Sequence, residues 1–459
     1  TGEGFKAGIG WGNATGTLRW NHQYSPKAFA NSSFIMSRYR FEITGEENEV
    51  ELIKFRYYSG IMDYGLKHDF HYFHSTQHTL RAGLQSTFHI FTPKARSFKT
   101  SVDDEIDDEI LDFLNRKEEY KSFESGIYIE DLYKPGARWQ LQPGIRFSAY
   151  HMEKDAYYSI EPRFSASYML TENLSVKSSY ARMKQYIHLL SNTGIGLPTD
   201  LWVPATKLVK PQESQQIAGG FAKDFLNGIY NVSIEGYYKW IENAIQYKPG
   251  ANFFIELDED GSGNEVDWQN LVTSGSAKSY GMEVFAQKTQ GKFTGWIGYT
   301  LSWTKLHFEE INFGNEFWAR YDRRNDVSLV GIYEINANIK LSAVWVYGTG
   351  NAVTLTTGTF YPCPDNHFLN HNNYWDEFSN DYNAINDYRM EAYHRLDLGI
   401  QFVKEKAHGT RTIEINVYNA YNHKNPYFYD WEQRKGKNVL IKYSLFPIIP
   451  SISYNFKFK

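Results

Sequence analysis

The stretch RWQLQPGIRFSAY (138–150) alternates between polar and apolar residues along its whole length. Trp139, Leu141, Pro143, Ile145, Phe147 and Ala149 fall on one side, and Arg138, Gln140, Gln142, Gly144, Arg146, Ser148 and Tyr150 on the other. Residues two apart share a face of a β-strand, so one side of this segment suits lipid and the other suits water. From Asn231 the pattern recurs, with Val232, Ile234, Tyr238 and Trp240 opposing Ser233, Glu235, Tyr237 and Lys239. It returns at Ile452, Tyr454, Phe456 and Phe458 against Ser453, Asn455 and Lys457. A helical period fits none of these segments.

A sheet that shows an apolar face on strand after strand needs an apolar surrounding. The 459 residues contain no run of 18 apolar ones and have a mean hydropathy of -0.54, which argues against membrane helices. Aromatic residues nevertheless make up 17% of the chain, with 35 Tyr, 31 Phe and 12 Trp. Polar on average yet rich in aromatics is the composition of a transmembrane β-barrel, whose Tyr and Trp ring both interfaces. A net charge of -5 gives no basis for nucleic-acid binding. Cys363 is the single cysteine, so neither an intrachain disulfide nor a cysteine metal cage is expected. Its Pro-Cys-Pro setting reads as a loop thiol.

Connections between the alternating runs fall into two classes that take turns. Short ones include SPKA (25–28), KPGA (134–137), TENL (171–174) and LNG (226–228). Long ones cover roughly 98–120, 191–212, 247–276, 307–321 and 355–391. Outer-membrane barrels sort their loops in this way, short turns facing the periplasm. About seventeen strand-like runs result, the last three at 392–406, 411–429 and 438–458, and the acidic segment 103–120 is the one candidate for a short helix. Single-chain bacterial barrels have an even number of strands, and an unpaired edge in lipid is very costly. The odd count therefore predicts an N-terminal portion ahead of Thr1. The expected fold class is all-β, a transmembrane antiparallel β-barrel.

Eight blocks carry a family resemblance: QYIHLLSN (185–192), LPTDLWVPA (197–205), KPQESQQIAGGF (210–221), YDRRNDVSLV (321–330), WVYGTGNAVTL (345–355), YHRLDLGI (393–400), INVYNAYNHKNPYF (415–428) and SLFPIIPSISYNFKF (444–458). In this order, and across essentially the whole chain, they resemble TonB-dependent receptors of the Gram-negative outer membrane. The resemblance implies a plugged barrel of 22 strands. Residues 1–459 would then be a partial barrel of about 17 strands, without the plug or the first five or so. It also implies active import of a scarce nutrient, energised by TonB acting on a segment near the receptor's N-terminus, with no enzymatic chemistry and no cofactor. The partners it implies are outer-membrane lipid, the plug and N-terminal strands, the TonB complex through that portion and, in some such barrels, a surface lipoprotein lid. Siderophores, oligosaccharides and peptides are all ligands of this family. A passive diffusion porin and a surface-binding barrel are the rival readings.

Candidate contacts follow from position. Arg323, Arg324 and Asp326 stand where a strand starts near the outer rim, suited either to rim salt bridging or to an anionic ligand. Trp202 lies between two prolines in a long loop, as a fold-over element or a stacking surface. The polar segment 366–388 carries His367, His371, Tyr374 and Trp375. Rings and amides together suit sugars or peptides, while two histidines four apart complete no metal site. The acidic run 103–109 lacks the glycine-spaced order of a calcium loop and reads as a solvated face. Arg138, Gln140, Arg146, Glu235 and Lys239 are expected on the water side, facing a plug or the lumen. No nucleophile with a plausible base emerges.

Overall fold

Alternation becomes register when the strands pair, because each polar residue then faces a polar residue on its neighbour. The computed structural model describes residues 6–47, 53–100, 118–190, 201–249, 251, 268–360, 379–381, 383–435 and 437–458. The first eight strands follow one another in a meander: β1 (Lys6–Ser25), β2 (Ala28–Glu47), β3 (Ile53–Phe73), β4 (His78–Thr100), β5 (Tyr120–Tyr133), β6 (Trp139–Met152), β7 (Asp155–Thr171) and β8 (Leu174–Gln185). A small hairpin, β9 (Ile187–Leu190) with β10 (Leu201–Pro204), then leaves the wall. The meander resumes with β11 (Gln212–Phe225), β12 (Tyr230–Tyr247), β13 (Val272–Lys288) and β14 (Phe293–His307), followed by the stub β15 (Phe317–Trp318), β16 (Asn325–Asn336) and β17 (Ile339–Gly348). Short pieces β18 (Ala352–Val353), β19 (Gly358–Phe360), β20 (Ser379–Asp381) and β21 (Tyr388–Arg389) belong to the next loop. Wall strands β22 (Tyr393–Lys406) and β23 (Gly409–Tyr418) come next, then an outer ribbon of β24 (Pro426–Arg434) and β25 (Lys437–Ser444), and finally β26 (Ile449–Phe458).

The main sheet is 18-stranded and antiparallel throughout, one of its members being the two-residue stub β15. Seventeen full strands therefore make the wall, as the alternation predicts. Strand β8 pairs with β11 across the departed hairpin, and β23 pairs with β26 across the outer ribbon. Among the described residues β1 and β26 each have one partner only, β2 and β23 respectively.

The hairpin touches β3 and β4 on one flank and β12 on the other, so the wall curls around it and the face it touches is the inner one. Register carries that face across the sheet: Phe41 and Tyr57 point inward, Phe34 and Leu66 outward. Near the short-turn rim the outward face carries Trp20, Tyr72, Trp139, Tyr168, Tyr230, Phe293, Tyr333 and Phe458. A second belt includes Tyr238, Tyr280 and Trp303, whose rings stack across β12, β13 and β14 at 5.6 and 5.3 Å. The belts lie about eight to ten residues apart, which for tilted strands spans about 25 Å, the height of a lipid-facing band. No described helix is long and apolar enough to cross a membrane.

Three expectations change. The runs at 411–429 and 438–458 are each two strands, because the chain turns out of the wall at Asn419. This fully buried asparagine, with φ of 52°, donates to the carbonyls of His423 and Phe446 and accepts the His423 amide. The run 175–190 breaks at Tyr186 for a reason given below. Loop classes also do not alternate strictly, since β6 and β7 meet on the outer rim through Glu153 and Lys154 alone, with Glu153 at positive φ. The helix candidate 103–120 lies outside the described residues up to Lys117, and Tyr120 already opens β5.

Candidate functional site

The inner face from β3 to β7 is a continuous polar network. His89 Nδ1 lies 2.8 Å from Asp63 Oδ1, and Arg146 lies 3.8 Å from Glu124. Gly126 makes room for that guanidinium, since a Cβ there would stand 2.5 Å from Arg146 Nη2. Glu161, 2% exposed, accepts from the Ser148 hydroxyl at 2.6 Å and from Arg163 at 3.3 Å. Charges taken out of water must be paired and hydrogen-bonded, and this sector pairs its own.

The opposite sector does not. Glu235 on β12 and Glu283 on β13 are direct register partners on the inner face. Neither has an ion pair or a hydrogen bond among the described residues, and Lys239 is equally without a partner. Like charges placed directly opposite one another destabilise a sheet. Gln140 shares the inner face of β6 with Arg146, in register with Ser167. Arg138 stands just outside the wall, in the turn before β6, its carbonyl accepting the Met169 amide at 2.9 Å.

At the outer mouth the β9–β10 hairpin is sealed to the wall. Leu190, Leu201 and Val203, with Val209 beyond, pack on Phe41, Tyr57, Tyr247, Trp268 and Val272. The chain leaves β8 because Tyr186 turns inward, stacks on Tyr150 at 4.9 Å and shares a hydrogen bond with Ser148 at 2.8 Å. His188 lies fully buried on the sealed face opposite Val203, and burial pushes its imidazole down to about 4. Trp202 pairs with Leu189 on the other face, where Leu189 and the nearby Leu208 are exposed. The hairpin thus presents an apolar shelf to the lumen.

A second outer loop, between β14 and β16, hangs on one carboxylate. Asp322, 2% exposed, accepts the Thr304 amide at 2.6 Å and the guanidinium groups of Arg324 and Arg389. The Arg324 guanidinium lies 4.6 Å from the Trp303 ring and 4.8 Å from that of Trp318. Sequence reasoning picked out Arg323, Arg324 and Asp326 in this segment and missed Asp322 and its distant partner Arg389. Arg323 donates to Asn351 at 2.8 Å, lies 3.7 Å from Asp326 and sits over Tyr393 at 5.9 Å. The same loop ends in a tip where Asn312, Phe313 and Gly314 all have positive φ and Phe313 is 98% exposed. Nothing in its sequence announced that display. His367, His371, Tyr374 and Trp375 lie outside the described residues, as do Cys363 and the acidic run 103–109. Among the described residues no cluster of His, Cys, Asp and Glu is arranged to hold a metal ion.

Residues 3–420 match the family model for the TonB dependent receptor-like β-barrel. The pyoverdine outer membrane receptor FpvA of Pseudomonas aeruginosa is similar in fold, with a TM-score of 0.61 at 13% identity. BauA, the ferric preacinetobactin receptor of Acinetobacter baumannii, gives 0.57 at 12%, and the FrpB iron transporter of Neisseria meningitidis 0.51 at 13%. The matches cover 98%, 98% and 93% of this chain but only 62%, 63% and 62% of those chains, so the chain spans less than two thirds of their length. No curated protein matches by sequence. At these identities the structures speak for the fold, and the family model speaks for kinship. The chain belongs to the TonB-dependent receptor β-barrels, a family of the Gram-negative outer membrane.

Proposed function

We propose that this chain forms most of the wall and mouth of an importer energised through TonB, with a plug and further N-terminal strands completing it. The carrying observation is the inward pair Glu235 and Glu283, opposed in register and without a cation among the described residues. Like charges directly opposite one another destabilise a sheet, and a basic face on a plug inside the lumen would offset them. The one-sided edges of β1 and β26 support the same reading, because lipid satisfies no backbone hydrogen bond. About five more strands would bring seventeen to the twenty-two of the plugged class.

For the ligand, the similar structures include a pyoverdine receptor, a ferric preacinetobactin receptor and an iron transporter. By that likeness an iron–siderophore complex stands ahead of an oligosaccharide or a peptide. The shelf of Leu189, Trp202 and Leu208 offers the apolar surface on which a ligand of that size rests. The experiment is uptake of radioiron-loaded siderophores by cells carrying or lacking the full-length receptor, with and without TonB. Uptake is expected to need both, and uptake that persists without the receptor overturns the import reading. Uptake that needs the receptor but not TonB, with rapid swelling of liposomes containing the full-length protein, is the outcome of a passive porin.

A further inference from the structure

The outward face of β2 changes character part way up. From Ala28 its outward residues are Ala28, Ala30, Ser32, Phe34 and Met36, and then Arg38, Arg40 and Glu42. Ten residues of tilted strand above Ala28 place Arg38 about 25 Å from the short-turn rim. That is the level of the second aromatic belt, where the hydrocarbon ends and headgroups begin. Guanidinium groups pointing outward there meet lipid headgroups before they meet bulk water.

Their local pairing leaves positive charge over. Arg38 is exposed and has no ion-pair partner among the described residues. Arg40 and Arg56 share the single carboxylate of Glu42, at 3.6 and 2.7 Å. Among the described residues, three guanidinium groups therefore stand against one carboxylate. They also stand in a clearing: in register, Arg40 lies between Gly12 of β1 and Gly60 of β3, and Arg38 between Ala14 and Met62. A Cβ built on Gly12 meets nothing within 4 Å, whereas one on Gly60 would stand 2.5 Å from the Tyr39 carbonyl oxygen, so the open space beside Arg40 is on the β1 side.

Lower on the same three strands the outward face is concave. A groove of about 510 Å³ is lined chiefly by Leu18, Trp20, Phe34 and Leu66, reaching Leu84 of β4. Of its polar members, Ser32 and His68 hydrogen-bond each other at 2.9 Å, while Arg19, Ser33 and Lys67 belong by register to the inward set, so the side chains facing lipid are mainly apolar. The lysine pair elsewhere at belt level makes a contrast. Lys278 and Lys305 are cross-strand partners, but both are tied to Glu316 at 3.2 Å, and Lys305 sits over Trp318.

We propose that Arg38, Arg40 and Arg56 bind the phosphorylated headgroup of an outer-leaflet lipid whose acyl chains lie in the groove below them. Guanidinium forks match phosphate oxygens in pairs, and the surplus charge above an apolar groove complements a head-and-tail amphiphile. The test uses the full-length receptor in detergent, with retained lipid counted by native mass spectrometry. The probes are bisphosphorylated lipid A, its dephosphorylated counterpart and inorganic phosphate.

Wild type is expected to hold lipid A in preference to the dephosphorylated form and to keep it in millimolar inorganic phosphate. Each of Arg38→Ala, Arg40→Ala and Arg56→Ala is expected to weaken retention about fivefold. Glu42→Gln, which frees two guanidinium groups, is expected to strengthen it, while the double variant Lys278→Ala/Lys305→Ala stays at the wild-type level. Equal retention of dephosphorylated lipid, unchanged retention in Arg38→Ala/Arg40→Ala, or displacement by free phosphate overturns the assignment. Should the arginine variants fail to fold, as judged by heat-dependent gel mobility, Glu42→Gln alone decides, because no gain in retention overturns it too.

Discussion

Two long outer loops are fastened to the same wall by opposite means. The β9–β10 hairpin is held by spread-out apolar burial of Leu190, Leu201, Val203 and Val209. The loop between β14 and β16 is held by one buried carboxylate, Asp322, that satisfies an amide and two guanidinium groups. Apolar burial is non-directional, at about 1.5–3 kcal/mol per large side chain, so the first fastening weakens by degrees. A buried charge cluster fails abruptly, because removing one partner strands the others. One sector of the mouth is therefore graded and the other all-or-none.

The sharpest break should come at Asp322. Asp322→Ala leaves Arg324 and Arg389 without their shared acceptor, and a loss of about 3–5 kcal/mol is expected. Limited proteolysis of folded full-length protein should then open the loop between β14 and β16 while the hairpin stays resistant. Equal resistance of both loops in the variant would show that the carboxylate does not hold the loop. Leu190→Ala attacks the other fastening, with about 2–5 kcal/mol lost. Amide exchange should quicken at 187–190 and 201–204 with Asp322's loop unaffected, and coupled loss of both would erase the distinction.

The graded seal also has a pH dependence. Burial lowers the His188 pKa to about 4, against about 6.5 for an unfolded histidine. The undocked hairpin therefore binds the proton more readily, so docking is at full strength above about pH 6.5 and loses about 3 kcal/mol as pH falls toward 4. Exchange at 187–190 measured from pH 7 to 4.5 should show it, and His188→Leu should abolish it. A pH profile identical in His188→Leu and wild type would assign the effect to another group.

What the sequence made legible follows from which interactions are local. Faces were readable because lipid on one side and water on the other impose alternation residue by residue. Thus the 138–150 segment sits in the wall with Trp139, Ile145 and Phe147 outward and Gln140 and Arg146 inward. Where a strand leaves the wall was not readable. The run 175–190 keeps its pattern through Tyr186, but the ring that pulls the chain inward stacks on Tyr150, far away in sequence. The same holds for Asp322: the YDRRND segment advertised its charges, but only pairing with Arg389, 67 residues on, singles out the buried one.

The smallest expected effects separate contact from bracing at the mouth. Arg323 is bound by Asn351 and Asp326, with both charged side chains more than a third exposed. An ion pair of that kind contributes about 0–1 kcal/mol, so Arg323→Ala should leave the melting transition and the half-saturation of uptake close to wild type. Trp202 faces away from the sealed side of its hairpin, so Trp202→Ala should likewise leave the transition nearly unmoved. Half-saturation should nevertheless rise severalfold in Trp202→Ala, if the shelf touches ligand as proposed. The reverse result, a weakened Arg323 variant and a silent Trp202 variant, would move the contact from the apolar shelf to the charged rim. It would make ligand charge, rather than ligand surface, the property this mouth selects.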